Sequence, residues 1–450
     1  MSMHLIPYSD PLAAFAPFAG QDGSVLLDSA APSGGRGRWT YLCVSPLTCV
    51  TDPADPFAAL DHAVRSLPTA QPDPNPLLPP FRGGVAGWLA YEAGRHLEAL
   101  PTARPDDLGI PEAAFGVYPV IAAFNTLSRT AMVLGLPGFE RDAADLAARL
   151  SVSTPLAPPA SATAPMRAEL SRTEAADRIR QVIDYIYAGD IFQANWTQRF
   201  LAEHLPPGVP PFDLYRRLRA LSPAPFAACL SFDGAHVLSA SPERFLQVSA
   251  DGHVETRPIK GTRPRGQTPE DDARLAADLC ASEKDRAENL MIVDLLRNDL
   301  SRVSQVGSVR VPVLNGLESY ATVHHLVSVV ESQLRPGDSA VSLLRASFPG
   351  GSITGAPKIH AMELIHALEP ARRGPYCGSV FWLGPDGAFD SSIIIRTLVI
   401  GRSGRIAAQA GGGIVADSDP MAEVEEALTK ARAMIRAVSG ADLPQFPQQS

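Results

Sequence analysis

Apolar positions along the chain keep two different periods, and the changes between them mark the elements. Ile179, Val182, Ile183, Ile186 and Tyr187 repeat at helical spacing; Ser171 and Glu174 open this helix as a capping box and Gly189 ends it. Residues 191–200 then switch to period two, with Phe192, Ala194, Trp196 and Phe200 on one face and Gln193, Asn195, Thr197 and Arg199 on the other, which predicts a strand with one polar face. Residues 83–91 and 117–124 read as two further strands in a β-rich first third. The pairs Asp233-Gly234 and Asp251-Gly252 sit between alternating segments and predict hairpins that lead the chain to Pro258-Ile-Lys-Gly-Thr262. Thr268 as N-cap with Pro269 behind it predicts a single long helix through Asp285, Glu288 and Met291 toward Leu295, and Asp419-Pro420 starts the last helix.

Proline interrupts this pattern at residues 68–80 and 155–165, within a total of 42 prolines in 450 residues. The second stretch is rich in Ala, Ser, Thr and Pro and lacks apolar periodicity. It reads as a linker over 151–168 between a first lobe, 1–150, and a second, 169–437, with a tail over 438–450 that is expected to fray. A content of 45% hydrophobic and 19% charged residues is that of a folded globular protein. The net charge of −9 gives no field that draws polyanions, so nucleic acid is not an expected partner. Cys43, Cys49, Cys229, Cys280 and Cys377 are scattered and form no CxxC pair, which fits neither a disulfide framework nor a thiolate zinc site; a reducing cytoplasm is the expected home. The longest apolar run, 115–124, falls far short of the roughly 18 residues of a membrane span, and no export signal opens the chain, so no membrane is expected.

Asp285 and Glu288, three apart on one helix, and Glu423 and Glu426, three apart on the last, each project from one helical face. If the four converge they make an oxygen-only site suited to Mg2+; spacing alone equally allows two solvated faces, with Glu426 and Lys430 as an ordinary i,i+4 ion pair. The glycine-rich segment from Phe348 to Lys358 fails the Walker pattern, because Pro357 precedes the lysine and no Ser or Thr follows it. Gly411, Gly412 and Gly413 could turn backbone N–H groups toward an anion or could form a tight turn. Arg396 lies in a strongly apolar, strand-like run, where a guanidinium needs an acidic partner or a carboxylate ligand. Of His324 and His325 only one can face a site if they lie on a strand. Lys260, beside Gly261, could be an exposed hairpin lysine or a nucleophile; in the second case its ordinary pKa of about 10.4 must fall toward ~7–8.

Read in order, these segments resemble the chorismate-utilising enzymes, the family of anthranilate, aminodeoxychorismate, isochorismate and salicylate synthases. Ile191-Phe-Gln193, Ser241-Pro-Glu-Arg-Phe245, the Lys260 segment, the run from Lys284 to Asp299, Thr354-Gly-Ala-Pro-Lys358, Arg373-Gly-Pro-Tyr-Cys-Gly378, Ile395-Arg-Thr397 and the run from Gly411 to Pro420 carry the resemblance. It implies an α/β (α+β) sandwich of two large antiparallel sheets with helices outside, built from both lobes. It further implies that Glu288 and Glu426 bind Mg2+, with Asp285 and Glu423 acting through water or as support; Asp285 departs from the Glu usual in anthranilate synthases. The metal would neutralise the ring carboxylate of chorismate. Arg396 and Tyr376 would grip the enolpyruvyl carboxylate, and Gly411 to Gly413, Thr354, His325 and Lys430 would complete the cradle.

The resemblance also bears on the reaction. Gln193 stands where isochorismate and salicylate synthases carry a water-activating lysine, a base that glutamine cannot replace. Glu243 would be the general acid for the departing ring hydroxyl. Lys260 stands where anthranilate synthases carry alanine; in aminodeoxychorismate synthases a lysine there attacks carbon 2, and ammonia then enters at carbon 4. The implied product is 4-amino-4-deoxychorismate, a precursor of 4-aminobenzoate and folate. A Gly-x-Cys-x-Gly elbow is absent, so ammonia would come from a separate glutamine amidotransferase subunit, and no lyase domain is expected after residue 440. An anthranilate synthase with an unusual lysine and a non-catalytic chorismate-binding subunit are the alternatives. The first lobe matches more loosely, through Leu27-Asp28-Ser29 and Arg38-Trp39-Thr40-Tyr41, where anthranilate synthases hold a feedback tryptophan; that pocket is expected to be structural or vestigial here.

Overall fold

The run 117–124, which periodicity reads as one strand, is two. Ala113–Tyr118 and Val120–Asn125 flank Pro119 and lie in different sheets, because proline lacks the N–H that a continuing ladder needs and the chain crosses over at that residue. The computed structural model describes residues 1–31, 37–69, 75, 77–152, 154–320 and 323–447. Much of the expected proline connection over 68–80 lies outside them. Among the described residues, twelve strands form one sheet and ten the other, and every pairing between strands is antiparallel. Strands from both halves of the chain alternate in each: Ser24–Asp28 pairs with Phe226–Phe232 in the larger sheet, and Gly84–Leu89 with Ser379–Leu383 in the smaller.

The period-two pattern sorts side chains between layers. Val25, Tyr41, Trp88, Phe232 and Trp382 fill the space between the sheets. Their neighbours Leu26 and Leu42 turn outward onto helical residues such as Phe15, Leu146, Ile179 and Ile435. Behind the smaller sheet, Phe57, Ile292 and Leu344 cover Val85, Leu89 and Phe381. The order is helices, sheet, sheet, helices.

The Ser171 capping box opens Arg172–Ala188, and Gly189 closes it at φ 85. The expected long helix is instead two, Pro269–Ala281 and Glu283–Ser301. Ser282 is extended and its hydroxyl accepts from the Asp285 N–H, so it caps a new helix with Asp285 in its first turn. The strand Gln193–Ala202 has a polar face, as its period predicts, but that face is buried and satisfied internally at one end: Thr197 bonds to Glu369, and Arg199 to Asp107 and Glu169. Residues 154–166 form no helix or strand and run over Pro211–Leu221 and the last helix, with Ala160 N–H bonded to Asp213 and Ala164 N–H to the Val438 carbonyl. Beyond the last helix, Pro420–Ser439, Gln445 exchanges backbone bonds with Met166 and Ala168. No helix among the described residues is long and apolar enough to cross a membrane.

Candidate active site

One element breaks its own register to build the site. The strand Ile259–Pro264 slips between Lys260 and Thr262, where Gly261 stands at φ +78; a Cβ there would lie 2.8 Å from Leu279 and 2.9 Å from Asp285. Only glycine fits this bulge, and a bulge re-aims the side chains beside it. Lys260 is thereby turned into a cavity of about 870 Å3 whose walls also hold Glu243, His325, Tyr376, Arg396 and Gly411 to Gly413. Its Nζ lies 3.4 Å from the point a Cβ of Gly413 would occupy, and Gln193 Nε2 lies 2.4 Å from the same point. Gln193 is fully buried, and neither polar atom of its amide has a partner among the described residues. The bare α-carbon of Gly413 is what lets the amide and the amine approach one another. Gly413→Ala is expected to lower kcat/KM for chorismate by about tenfold or more with a small change in melting temperature, since the methyl group must displace catalytic side chains; an unchanged kcat/KM would show that the approach does not matter.

Glu243 and Arg396 carry the complementary chemistry. Glu243 is 8% exposed, and burial raises its carboxyl pKa to about 7 against the opposing pull of Lys260, Ser352, Arg396 and Lys430. It can therefore hold a proton near neutrality. The apolar run expected around Arg396 is interrupted by it: Phe389–Ile393 and Thr397–Ile400 are strands, and Arg396 between them adopts φ 54. That left-handed conformation is costly for a side chain of this size and points the guanidinium into the cavity, where it has no ion pair among the described residues. Burial lowers its pKa, opposed by Tyr376, Glu426 and Glu243, and a carboxylate ligand would satisfy the buried charge.

The four acidic residues face the same cavity from two helices. From the point a Cβ of Gly412 would occupy, Lys430 Nζ is 3.3 Å away, Glu423 Oε2 3.4 Å and Glu426 Oε1 3.9 Å. Three of the four have a cation beside them: Glu426 pairs with Lys430 at 2.7 Å, Asp285 with Arg263 at 3.1 Å and Glu423 with Lys284 at 3.6 Å. Burial pushes the Glu426 carboxyl up, but Lys430, Lys284 and Lys260 more than offset this and hold it below the usual range. Glu288 has no salt bridge among the described residues; burial raises its carboxyl, Lys260 and Lys284 pull against that rise, and Asp285 and Glu423 add to it. Among the described residues no three ligands are close enough to enclose a metal unaided. The donor set nonetheless fits a hard cation, since it is all oxygen and leaves one carboxylate, Glu288, outside any salt bridge among the described residues.

Thr354, expected in the cradle, is not on its wall. It is fully buried and its hydroxyl donates to the Gly350 carbonyl at 3.0 Å, while its neighbours Ser352 and Ile353 line the cavity instead. His325 lines the cavity and shares a hydrogen bond with Thr262; His324 faces away, bonded to Ser319 and Asp272. Lys430 also donates to the Gly411 carbonyl at 2.8 Å, so it braces the glycine strand as well as the last helix. Asn195, Gln409, Lys284 and Ser352 line the site without having been singled out from the sequence. Asn195 lies on the polar face that the alternation marks, Ser352 inside the glycine-rich segment and Lys284 at the head of a run that carries the resemblance; nothing local marks Gln409. Leu27 to Ser29 and Arg38, Trp39 and Tyr41 line a separate cavity of about 300 Å3, where Tyr215, Arg219 and Thr40 take up the Asp28 carboxylate.

Known proteins match this chain along most of its length. The family model described as chorismate binding enzyme matches residues 26–436. The chain is 42% identical over 455 residues to anthranilate synthase component 1 of Streptomyces coelicolor, covering 96% of this chain and 87% of that one. It is 41% identical over 432 residues to aminodeoxychorismate synthase component 1 of Klebsiella aerogenes, covering 92% and 94%. The crystal structure of anthranilate synthase component I from Streptococcus pneumoniae superimposes with a TM-score of 0.79 at 30% identity, over 97% of this chain and 100% of that one.

Proposed function

Within the chorismate binding enzyme family, to which this chain belongs, we propose that it is an aminodeoxychorismate synthase, converting chorismate and ammonia to 4-amino-4-deoxychorismate. The observation that carries this reading is the Lys260 amine inside the cavity, without an ion pair among the described residues and next to Gln193 and the open face of Gly413. In the proposed reaction the free amine of Lys260 forms a bond to ring carbon 2. The ring double bonds shift, and the carbon 4 hydroxyl leaves as water with the proton held on Glu243. Ammonia then bonds to carbon 4, the double bonds shift back, and the lysine departs from carbon 2 with its electron pair. Arg396 and Tyr376 hold the enolpyruvyl carboxylate, with His325, Lys430 and the strand from Gly411 to Gly413 around it.

Glu288 and Glu426 would hold Mg2+, supported by Glu423 and Asp285, and the ion would neutralise the ring carboxylate of chorismate. Chelation with EDTA is expected to stop chorismate consumption and added Mg2+ to restore it. Glu423→Gln is expected to raise the Mg2+ concentration for half-maximal activity by about 10–100-fold; full activity in EDTA would remove the metal from the account. The ammonia source is proposed to be a separate glutamine amidotransferase, in line with relatives named as component 1. Free ammonium should replace it.

The second reading is anthranilate synthase component I, favoured by relatives of that name at equal identity. Incubation of the purified protein with chorismate, Mg2+ and ammonium, with the product identified by mass and absorbance, separates the two. We expect a product that keeps its pyruvyl ether and carries nitrogen at carbon 4; anthranilate would establish the second reading.

A further inference from the structure

The Arg373 segment resembles the family motif, yet Arg373 is absent from the cavity wall; it lies behind it. The residue is 2% exposed, and its guanidinium makes four separate commitments. It bonds Glu369 at 2.6 and 2.9 Å, donates to the Ile353 carbonyl at 2.8 Å, donates to the Asn195 carbonyl, and stacks over the Tyr91 ring at 4.6 Å. Glu369 in turn accepts from the Thr197 N–H and hydroxyl, both at 3.1 Å. The Arg373 carbonyl accepts from Gln409 Nε2 at 2.8 Å, and its N–H donates to Glu92 at 2.9 Å. Asn195, Ile353 and Gln409 all line the cavity, and Tyr376 lies three residues downstream. Those four groups come from four different segments of the chain. One buried planar fork therefore sets the separation of Asn195 and Ile353, which a flexible ammonium could not do, since it lacks the fixed geometry to reach two carbonyls and a carboxylate together, while Gln409 bonds the main chain of the same residue.

We infer that Arg373, oriented by Glu369, is the positioning residue that holds the Asn195 and Ile353 walls of the cavity in register for chorismate. The inference rests on chorismate as the substrate and not on which ring carbon takes nitrogen. A misplacement of about 1 Å among groups that grip a substrate costs on the order of a hundredfold in rate. Arg373 also acts on Glu243 at one remove. Ile353 adjoins Ser352, whose hydrogen bond favours the ionised form of Glu243, while the other groups facing that carboxyl, Lys260, Arg396, Lys430 and Cys377, are not held by Arg373. Loosening Ile353 should release that one bond.

The test uses the full chain, and reads chorismate affinity by calorimetry and chorismate consumption at saturating ammonium, so that an unexpected product does not affect it. Arg373→Lys is expected to remain folded, to lose on the order of a hundredfold in kcat/KM, and to move the alkaline limb of the pH profile upward. Ser352→Ala should reproduce that pH shift, and the double variant should add nothing to it. Arg199→Lys is the control, because Arg199 is also buried and paired with Asp107 and Glu169 but does not line the cavity; its melting temperature should fall with chorismate affinity and pH profile unchanged. If Arg373→Lys does not fold, Glu369→Gln carries the test, with about a tenfold loss of kcat/KM expected. A variant at either position that behaves like Arg199→Lys, losing stability alone, would overturn the inference.

Discussion

Lys260→Ala is expected to lower formation of the carbon 4 amine by on the order of 10³-fold while leaving the protein folded and able to bind chorismate. The size of the effect follows from the proposed role. Without a nucleophile at carbon 2 the ring has no covalent route by which nitrogen is directed to carbon 4. The mildness toward the fold follows from the environment: the lysine is half-buried at a cavity wall, and removing it breaks no hydrogen bond or ion pair among the described residues. Gly261, and not the lysine, maintains the bulge. Product analysis under ammonium and Mg2+ reads the outcome, and carbon 4 amination at the parent rate would eliminate the covalent step.

The second large effect belongs to Glu243. Its pKa, raised by burial to about 7, means that the acid form is present below that pH and is lost as pH rises through it. If Glu243 delivers the proton to the departing hydroxyl, kcat/KM falls on the alkaline side with a midpoint near pH 7. Glu243→Gln should reduce kcat by about 10²–10⁴-fold and abolish that limb. Linkage gives a second readout with a definite sign. The unfolded carboxyl titrates near its ordinary value of 4.5 and the folded one near 7, so between these the folded state binds more protons and stability declines as pH rises. The parent should therefore lose more melting temperature than Glu243→Gln between those two pH values. A flat pH profile in the parent, or a glutamine variant of full activity, would remove Glu243 from the acid role.

The parts of this account legible in the sequence are those with local causes. The Ser171 capping box, the Asp-Gly turns and the Asp419 cap each depend on two to four neighbouring residues, and the structure contains them. The resemblance carried the two sheets and the acidic helices. What periodicity missed lies in caps, breaks and cavity packing that apolar spacing does not record. Ser282 divides a helix because its hydroxyl caps the following turn, although apolar spacing runs on across it. Pro119 sends the chain from one sheet to the other inside an unbroken apolar run. Arg396 takes a left-handed conformation because a cavity waits for its side chain, and Thr354 turns into its own loop to bond Gly350. Lys260 is the clearest case: its composition context reads as an exposed hairpin, and only the packing of Gly261 against Asp285 and Leu279 turns it inward.

The most direct test of a covalent role for that lysine is a rapid-quench mass measurement on the intact protein with chorismate and Mg2+ but no ammonia. The account predicts an adduct equal to chorismate less one water, located at Lys260 after proteolysis, absent in Lys260→Ala and discharged to the carbon 4 amine when ammonium is added. Nitrogen arriving at carbon 4 in the parent with no adduct at any time during a single turnover would contradict it.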